Sequence, residues 1–264
     1  AIATALNSRK ALESDLREAI GRGEMEVFYQ PLLNTQTRQL EGYEALLRWR
    51  RGHKDFVSPA QFIPVAEEIG MISYLGDFVL REACQQATLW PPNINIAVNL
   101  SPVQFRDGNI VRDTLKILSE TGLSPYRLEL EITESIFLDA TGATLDTLHQ
   151  LKQLGIRIAL DDFGTGYSSL SYLSRFPFDK IKIDRTFIGD LGNANINTVI
   201  VELVVDLGNK LGIQTTAEGV ETEGQLCKLQ GLGCAQVQGF LFAVPKPASE
   251  LSFSTVAQPA ISMR

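Results

Sequence analysis

Carboxylates, an asparagine and a lysine recur at the ends of short apolar segments along this chain. Ile158–Leu170, IALDDFGTGYSSL, is an apolar strand ending in Asp161 and Asp162 and followed by a tight glycine-rich turn. Glu44, Asn99, Glu131, Lys182 and Glu218 stand at or near the ends of other such segments. Oxygen donors of this type suit Mg2+ or Mn2+. The adjacent pair Asp161 and Asp162 predicts two cations with Asp161 bridging them, an arrangement that activates water in phosphodiester cleavage. Any one of these carboxylates reads equally as a helix cap or a solvated turn. Their recurrence on successive strand ends is what argues for a site.

Other residues join this set. Lys182, between Ile181 and Ile183, is expected inside the fold, where an ammonium needs anionic company. It is read as orienting the attacking water, or else as a structural partner of Glu129 or Asp184. Glu218 is expected to hold the second cation through water or to accept the nucleophile's proton. Glu221 either steadies that loop or opens a helix. Arg48 follows Glu44 by four on the same strand face and is a candidate phosphate clamp. Glu134 is expected to accept amides of the turn at Gly164. Gly164 and Gly166 form neither a dinucleotide fingerprint nor a Walker loop; the turn reads as a shaped loop carrying Asp162, with Ser168 and Ser169 capping the next helix. His53 and His149 lie at no strand end and read as surface or helix residues.

The elements that must position these groups alternate. Strands are expected at Glu26–Leu33, Gly42–Trp49, Asn95–Asn99, Arg127–Ile132, Arg157–Leu160, Lys180–Asp184, Gln214–Ala217 and Ala235–Phe240. Helices are expected at Lys10–Arg22, from Ser58–Pro59 through Glu68, at Tyr74–Leu89, Ile110–Glu120, Ala143–Leu154, briefly after Ser168, at Ile196–Lys210 and at Glu223–Leu229. Gly122, Gly155, Gly212 and Gly231 stand where C-terminal caps belong. Eight strands with helical crossovers in a chain of this length predict an α/β fold of the (β/α)8 barrel type, with a doubly wound sheet as the alternative. Residues 1–264 read as one domain, without repeats or a linker. Period-two parity puts Arg127, Glu129, Glu131 and Thr133 on one strand face, Lys180, Lys182 and Asp184 on another, and Gln236 with Gln238 on a third. The apolar faces belong against the helices, so these polar ones point inward.

Composition bounds the function. Lys plus Arg number 24 and Asp plus Glu 31, a formal charge of −7, which argues against a DNA or RNA backbone binder. A small phosphorylated ligand stays compatible, because bound divalent cations reverse the local sign. No apolar run reaches the ~20 residues that span a bilayer, and no secretory signal pattern opens the chain. Ala1 in place of Met is read as a chain processed or excerpted from something longer. Cys84, Cys227 and Cys234 lack metal-site spacing and are expected as free thiols in a reducing compartment.

These motifs, in their order and spacing, resemble the EAL domain family of cyclic di-GMP phosphodiesterases along almost the whole chain. The signature stands at Glu44-Ala45-Leu46 within YEALLRW. Also similar are YQP at Tyr29–Pro31, NLSPVQF at Asn99–Phe105, EITES at Glu131–Ser135, DDFGTGYSSL at Asp161–Leu170, KIDRTF at Lys182–Phe187, AEGVE at Ala217–Glu221 and QGFLFAVP at Gln238–Pro245. The resemblance implies a modified triosephosphate-isomerase-type (TIM-type) barrel whose first strand runs antiparallel to the others. It implies Glu44, Asn99, Glu131 and Asp161 as ligands of a first Mg2+ or Mn2+, and Asp161 and Asp162, with Glu218 nearby, as ligands of a second. Lys182 then lies at the nucleophilic water, Gln238 arranges that network, and Glu134 and Glu221 support the loop and metal shell. Arg48, with Leu47, Gln30 and Glu221, is expected to contact substrate. The implied reaction is metal-dependent hydrolysis of cyclic di-GMP to linear pGpG. A receptor module that binds the dinucleotide with little turnover is the alternative, and a Mg2+-dependent barrel enzyme acting on a carboxylate substrate is a second, resting on fold analogy. The resemblance further implies a cytoplasmic domain, a homodimer, and a parent protein with fused sensory or cyclase-like domains, membrane-bound in some relatives.

Overall fold

A computed structural model describes residues 2–52, 55–106, 108–137, 142–164, 173, 176–191 and 195–253. Helix α1 (Ile2–Gly21) leads into β1 (Met25–Asn34) and β2 (Leu40–Arg51), with a short β3 (Asp55–Val57) on the end of β2. The regular alternation follows: α2 (Pro59–Glu68), α3 (Ile72–Ala87), β4 (Asn95–Leu100), α4 (Pro102–Arg106), α5 (Ile110–Thr121), β5 (Leu128–Thr133), α6 (Gly142–Gln153) and β6 (Arg157–Phe163). After it come β7 (Lys180–Ile183), α7 (Arg185–Ile188), α8 (Ile196–Leu211), β8 (Gln214–Ala217), α9 (Glu223–Leu232), β9 (Gln236–Val237) and β10 (Lys246–Pro247). The expected helix after Ser168, its caps Ser168 and Ser169, Gly166 and His53 lie outside the described residues.

Strands β2, β4, β5, β6, β7, β8 and β9 run parallel, and β1 closes the ring antiparallel to both β2 and β9. This is the expected TIM-type barrel with its first strand reversed. The reversal has a local cause. The link between β1 and β2 is a turn in which Asn34 Oδ1 accepts the amides of Gln36 and Thr37, each at 3.0 Å. So short a link makes a hairpin, whereas a parallel neighbour needs a crossover of a dozen or more residues.

Parity sorts the side chains as the sequence pattern requires. Ile96, Val98, Leu128, Leu130, Ile132, Ile158, Leu160, Ile181 and Ile183 are buried in the main apolar core between barrel and helices. Their alternates, Glu44, Glu129, Glu131, Asp161, Lys180, Lys182, Thr216, Gln236 and Gln238, are also buried. Arg127 departs from the expected inward face: it lies in the turn before β5, and its guanidinium donates to the carbonyls of Ala87, Pro91 and Ile94. Asp184 departs too, capping α7 by accepting the Thr186 amide at 2.9 Å.

Local corrections follow from end geometry. Ser58 occupies the N-cap of α2, but its side chain makes no cap bond; Pro59 at the first helical position starts the helix. Gly122 and Gly212 end α5 and α8 in the left-handed conformation. The last helix runs through Gly231 and is ended instead by Gly233 at φ +80°. The strand expected at Ala235–Phe240 is only Gln236–Val237.

Cys84 and Cys234 are buried and Cys227 is exposed. Burial pushes the Cys84 thiol up to about 12 and that of Cys234 to about 11. A thiol-reactive chromogen should therefore titrate Cys227 alone in the native protein and all three thiols in denaturant. Rapid native reaction of Cys84 would contradict this packing.

Candidate active site

The C-terminal ends of the parallel strands converge on one buried ammonium. Lys182 Nζ lies 2.7 Å from Glu131 Oε2, 2.7 Å from Glu218 Oε1, 3.2 Å from Asp161 Oδ1 and 3.7 Å from Glu44 Oε1. These acids come from β5, the end of β8, β6 and β2. The alternative partners Glu129 and Asp184 are not the ones Lys182 takes. Around the acids sit neutral amides. Asn99 Nδ2 donates to Glu44 Oε1 at 2.7 Å, Gln238 Nε2 to Glu44 Oε2 at 2.6 Å and to Gln30 Oε1 at 2.9 Å. Gln30 Nε2 in turn donates to the Ala243 carbonyl.

Asp161 and Asp162 are adjacent, and in a regular strand they would face opposite sides. The β6–β7 register shifts between Leu160 and Phe163, and Asp162 takes φ +53°. Aspartate tolerates this left-handed conformation better than most residues. The irregularity brings one carboxylate oxygen each of Asp161, Asp162 and Glu218 within 4.8 Å of one another. Glu134 Oε1 accepts the Gly164 amide at 3.3 Å, supporting the turn beyond Asp162 as expected.

Burial raises the Glu131 carboxyl well above the ordinary range despite Lys182, and Glu44 and Asp161 add to the effect. Burial likewise lifts Glu218 to about 8, against the pull of Lys182, and Asp162 to about 6, where Asp161 adds repulsion. For Glu44, burial opposes ionisation, but Lys182 and the amides of Gln238 and Asn99 together hold it below its usual value. Burial disfavours the Lys182 ammonium, yet Asp161, Glu131, Glu218 and Glu44 outweigh it and hold it charged. With every acid ionised, Glu44, Glu131, Asp161, Asp162 and Glu218 would exceed the one ammonium by four charges, the amount that two divalent cations balance. Glu131 Oε1 is buried with no hydrogen-bond donor among the described residues. An all-oxygen donor set with surplus charge and a buried unsatisfied oxygen fits hard divalent cations.

A cavity of about 670 Å3 opens beside the cluster, between β2, α2, α3 and α4. Arg48, Leu47 and Asn99 line it, with Ile63, Leu75 and Phe105 among its apolar walls. Arg48 is held by a bond to the Leu47 carbonyl and lies 6.0 Å from the Phe28 ring. Glu67, bonded by the Ser101 hydroxyl at 2.7 Å, and Gln104 also line this cavity. Sequence reading did not single them out, because helix residues carry no strand-end signal. Glu221 is exposed, and its amide donates to Gln225 Oε1 at 2.8 Å, so it flanks the cluster without joining it. His149 lies in α6 with its ring against Phe176.

A family model described as the EAL domain matches residues 13–245. This chain belongs to the EAL domain family. It is 50% identical over 245 residues to the uncharacterized protein y4lL of Sinorhizobium fredii, covering 93% of this chain and 30% of that one. It is 44% identical over 241 residues to MucR of Pseudomonas aeruginosa, named a bifunctional diguanylate cyclase/cyclic di-GMP phosphodiesterase, covering 90% and 35%. A solved structure described as the PaMucR phosphodiesterase in complex with c-di-GMP superimposes with a TM-score of 0.88 at 43% identity, covering 92% of this EAL domain and all of that chain. This chain therefore spans about a third of the curated relatives' length, between 30% and 35% for these two. Among the described residues, no helix is long and apolar enough to cross a membrane.

The raised carboxyls make a pH prediction. With cations chelated, folded protein keeps protons on Asp162 and Glu218 that the unfolded chain has already released. The stability this supplies is full below their ordinary carboxylate values of 3.8 and 4.5 and is lost as pH rises through about 6 and about 8. Glu44, shifted the other way, acts only at lower pH. The denaturation midpoint in excess chelator should therefore be lower at about pH 8 than at about pH 5. A midpoint that rises over this range would contradict the assigned charge surplus.

Proposed function

We propose that this EAL domain is a metal-dependent phosphodiesterase that hydrolyses one 3′–5′ phosphodiester of cyclic di-GMP to linear 5′-pGpG. The observation that carries the reading is the anionic cluster around Lys182, beside a cavity mouth that presents Arg48. In TIM-type barrels this C-terminal rim is where active sites sit. The likeness to MucR, by its name a cyclic di-GMP phosphodiesterase and by its structure a c-di-GMP complex, supports the choice of substrate.

Glu44, Asn99, Glu131 and Asp161 would hold one cation of the Mg2+ or Mn2+ type, and Asp161 and Asp162, with Glu218 nearby, a second. Bound there, such cations supply an acidified water and neutralise the phosphoryl charge. The chain's own groups do the rest. Lys182 orients the attacking water, and Glu218 accepts its proton. The water oxygen bonds to phosphorus as the bond to the 3′ oxygen breaks, and that oxygen takes a proton from solvent, leaving a 5′ phosphate and a free 3′ hydroxyl. Arg48 grips a non-bridging phosphate oxygen, and the apolar cavity beside it takes a base. Gln30 and Gln238 hold Glu44 in place through their amides, Leu47 contributes to the substrate wall, and Glu134 and Glu221 steady the loops at Gly164 and Gly219.

The reading extends to the whole protein. We take residues 1–264 as the phosphodiesterase domain of a longer cytoplasmic or membrane-anchored signalling protein with fused sensory or cyclase-like domains, as the name and greater length of MucR suggest. A homodimer belongs to it, with Ile196, Val199 and Leu203 offering an exposed apolar face on α8.

Incubation with cyclic di-GMP and Mg2+ or Mn2+, followed by chromatography, tests the function; pGpG should appear only without chelator. Tight dinucleotide binding without product would instead favour the receptor reading. Asp161→Asn should abolish turnover, and near-parental activity at limiting metal would remove its bridging role. Lys182→Ala should lower turnover far more than dinucleotide affinity. A parallel fall in both would reassign Lys182 to substrate positioning.

A further inference from the structure

Beneath the proposed site lies a second buried ion pair that the reaction does not use. Lys180 Nζ lies 2.5 Å from Glu129 Oε1, with both side chains buried. The pair repeats, two residues back along each strand, the 2.7 Å contact between Lys182 and Glu131. Strand β5 supplies both acids and β7 both lysines, so each lysine reaches across β6, where the small Ala159 stands between the inward residues Arg157 and Asp161. Arg157 Nε lies 3.7 Å from the other Glu129 oxygen. Barrel interiors usually hold Val, Ile or Leu here, and a buried ion pair is seldom more stabilising than such packing. The lower pair therefore needs a reason other than stability.

Strand register supplies one. Lys180 and Glu131 both pair with Ala159, so this lysine stands in the same row as the upper acid. Glu131 Oε1 is a buried carboxylate oxygen with no hydrogen-bond donor among the described residues. We propose that Glu129 is a positioning residue that holds the Lys180 ammonium down and away from Glu131, leaving Glu131 Oε1 open to a divalent cation. This rests on the metal-dependent reading of the upper cluster. Without the Glu129 charge, Lys180 is an unpaired buried cation in the row of Glu131. It then competes for that oxygen and repels a divalent ion.

Mn2+ binding alone, read from the paramagnetic resonance signal of the free ion without nucleotide, tests this. Glu129→Gln should weaken Mn2+ binding about tenfold. Adding Lys180→Met to it should restore the parental affinity, because the competing cation is gone. Lys180→Met by itself should bind Mn2+ no more weakly than the parent. A purely structural pair predicts the opposite order, with the double variant no better than Glu129→Gln. That order, or unchanged affinity in Glu129→Gln, overturns the proposal. If Glu129→Gln does not fold, Glu129→Asp replaces it: weakening that Lys180→Met reverses supports the proposal, and any other result overturns it. A parent protein that binds no Mn2+ overturns the metal reading and this inference together, whereas parental binding matched by Glu129→Gln overturns this inference alone.

Discussion

One buried charge organises the barrel. The Lys182 ammonium lies within 4.0 Å of carboxylates that begin on four different strands, so β2, β5, β6 and β8 are tied through a single atom. An ammonium out of water is tolerable only in such company, and deleting one partner of a buried pair typically costs about 3–5 kcal/mol. The converse constraint is as strong. The acids outnumber the lysine, and burial raises the carboxyls of Glu131, Glu218 and Asp162. Their closeness makes the carboxylates repel one another.

The surrounding structure reads as a response to that conflict. Asn99 and Gln238 bring neutral donors to Glu44, with Gln30 accepting from the same Gln238 amide, so one acid stays ionised without a further buried cation. Position 239 shows how tightly Gln238 is placed: a Cβ on Gly239 would stand 2.1 Å from the Val220 carbonyl oxygen and 2.3 Å from its nitrogen. Only glycine lets these two backbones approach so closely. At β6, small Ala159 gives the lysines of β7 a path across the strand, and the irregularity after Leu160 turns a second aspartate toward the cluster.

The cavity-lining residues of β2 depend on a separate packing unit. Trp49, next to Arg48 at the end of β2, is fully buried in a small apolar cluster with Leu16, Met25, Phe62 and Leu75. Its indole donates to Glu24 at 3.1 Å, and its ring meets Phe62 edge-on at 5.7 Å. Helices α1 and α2 thus brace the back of the strand whose neighbouring positions, Leu47 and Arg48, line the cavity. The metal-capable cluster is held from the barrel interior, while the cavity wall is held from the helical layer.

Period-two parity in RLELEITE and DKIKID already placed Glu129, Glu131, Lys180 and Lys182 inside, because strand alternation is a local property of the backbone. Strand-end carboxylates and the order of the motifs likewise made the barrel and most of the cluster readable. The reversed first strand was legible in principle, since too few residues separate Leu33 from Gly42 for a crossover. Three things were decided only in the folded chain. Folding chose Glu131 over Glu129 and Asp184 as a partner of Lys182: the strand ladder sets Glu131 level with Lys180, and Lys182 reaches it from the next inward level, a relation between strands distant in sequence. The backbone turn at Asp162 brought neighbouring carboxylates to one place, which alternation alone forbids. The cavity walls from α2 and α4 appeared only when helices distant in sequence met, since a helix residue facing a cavity and one facing a core leave the same apolar pattern.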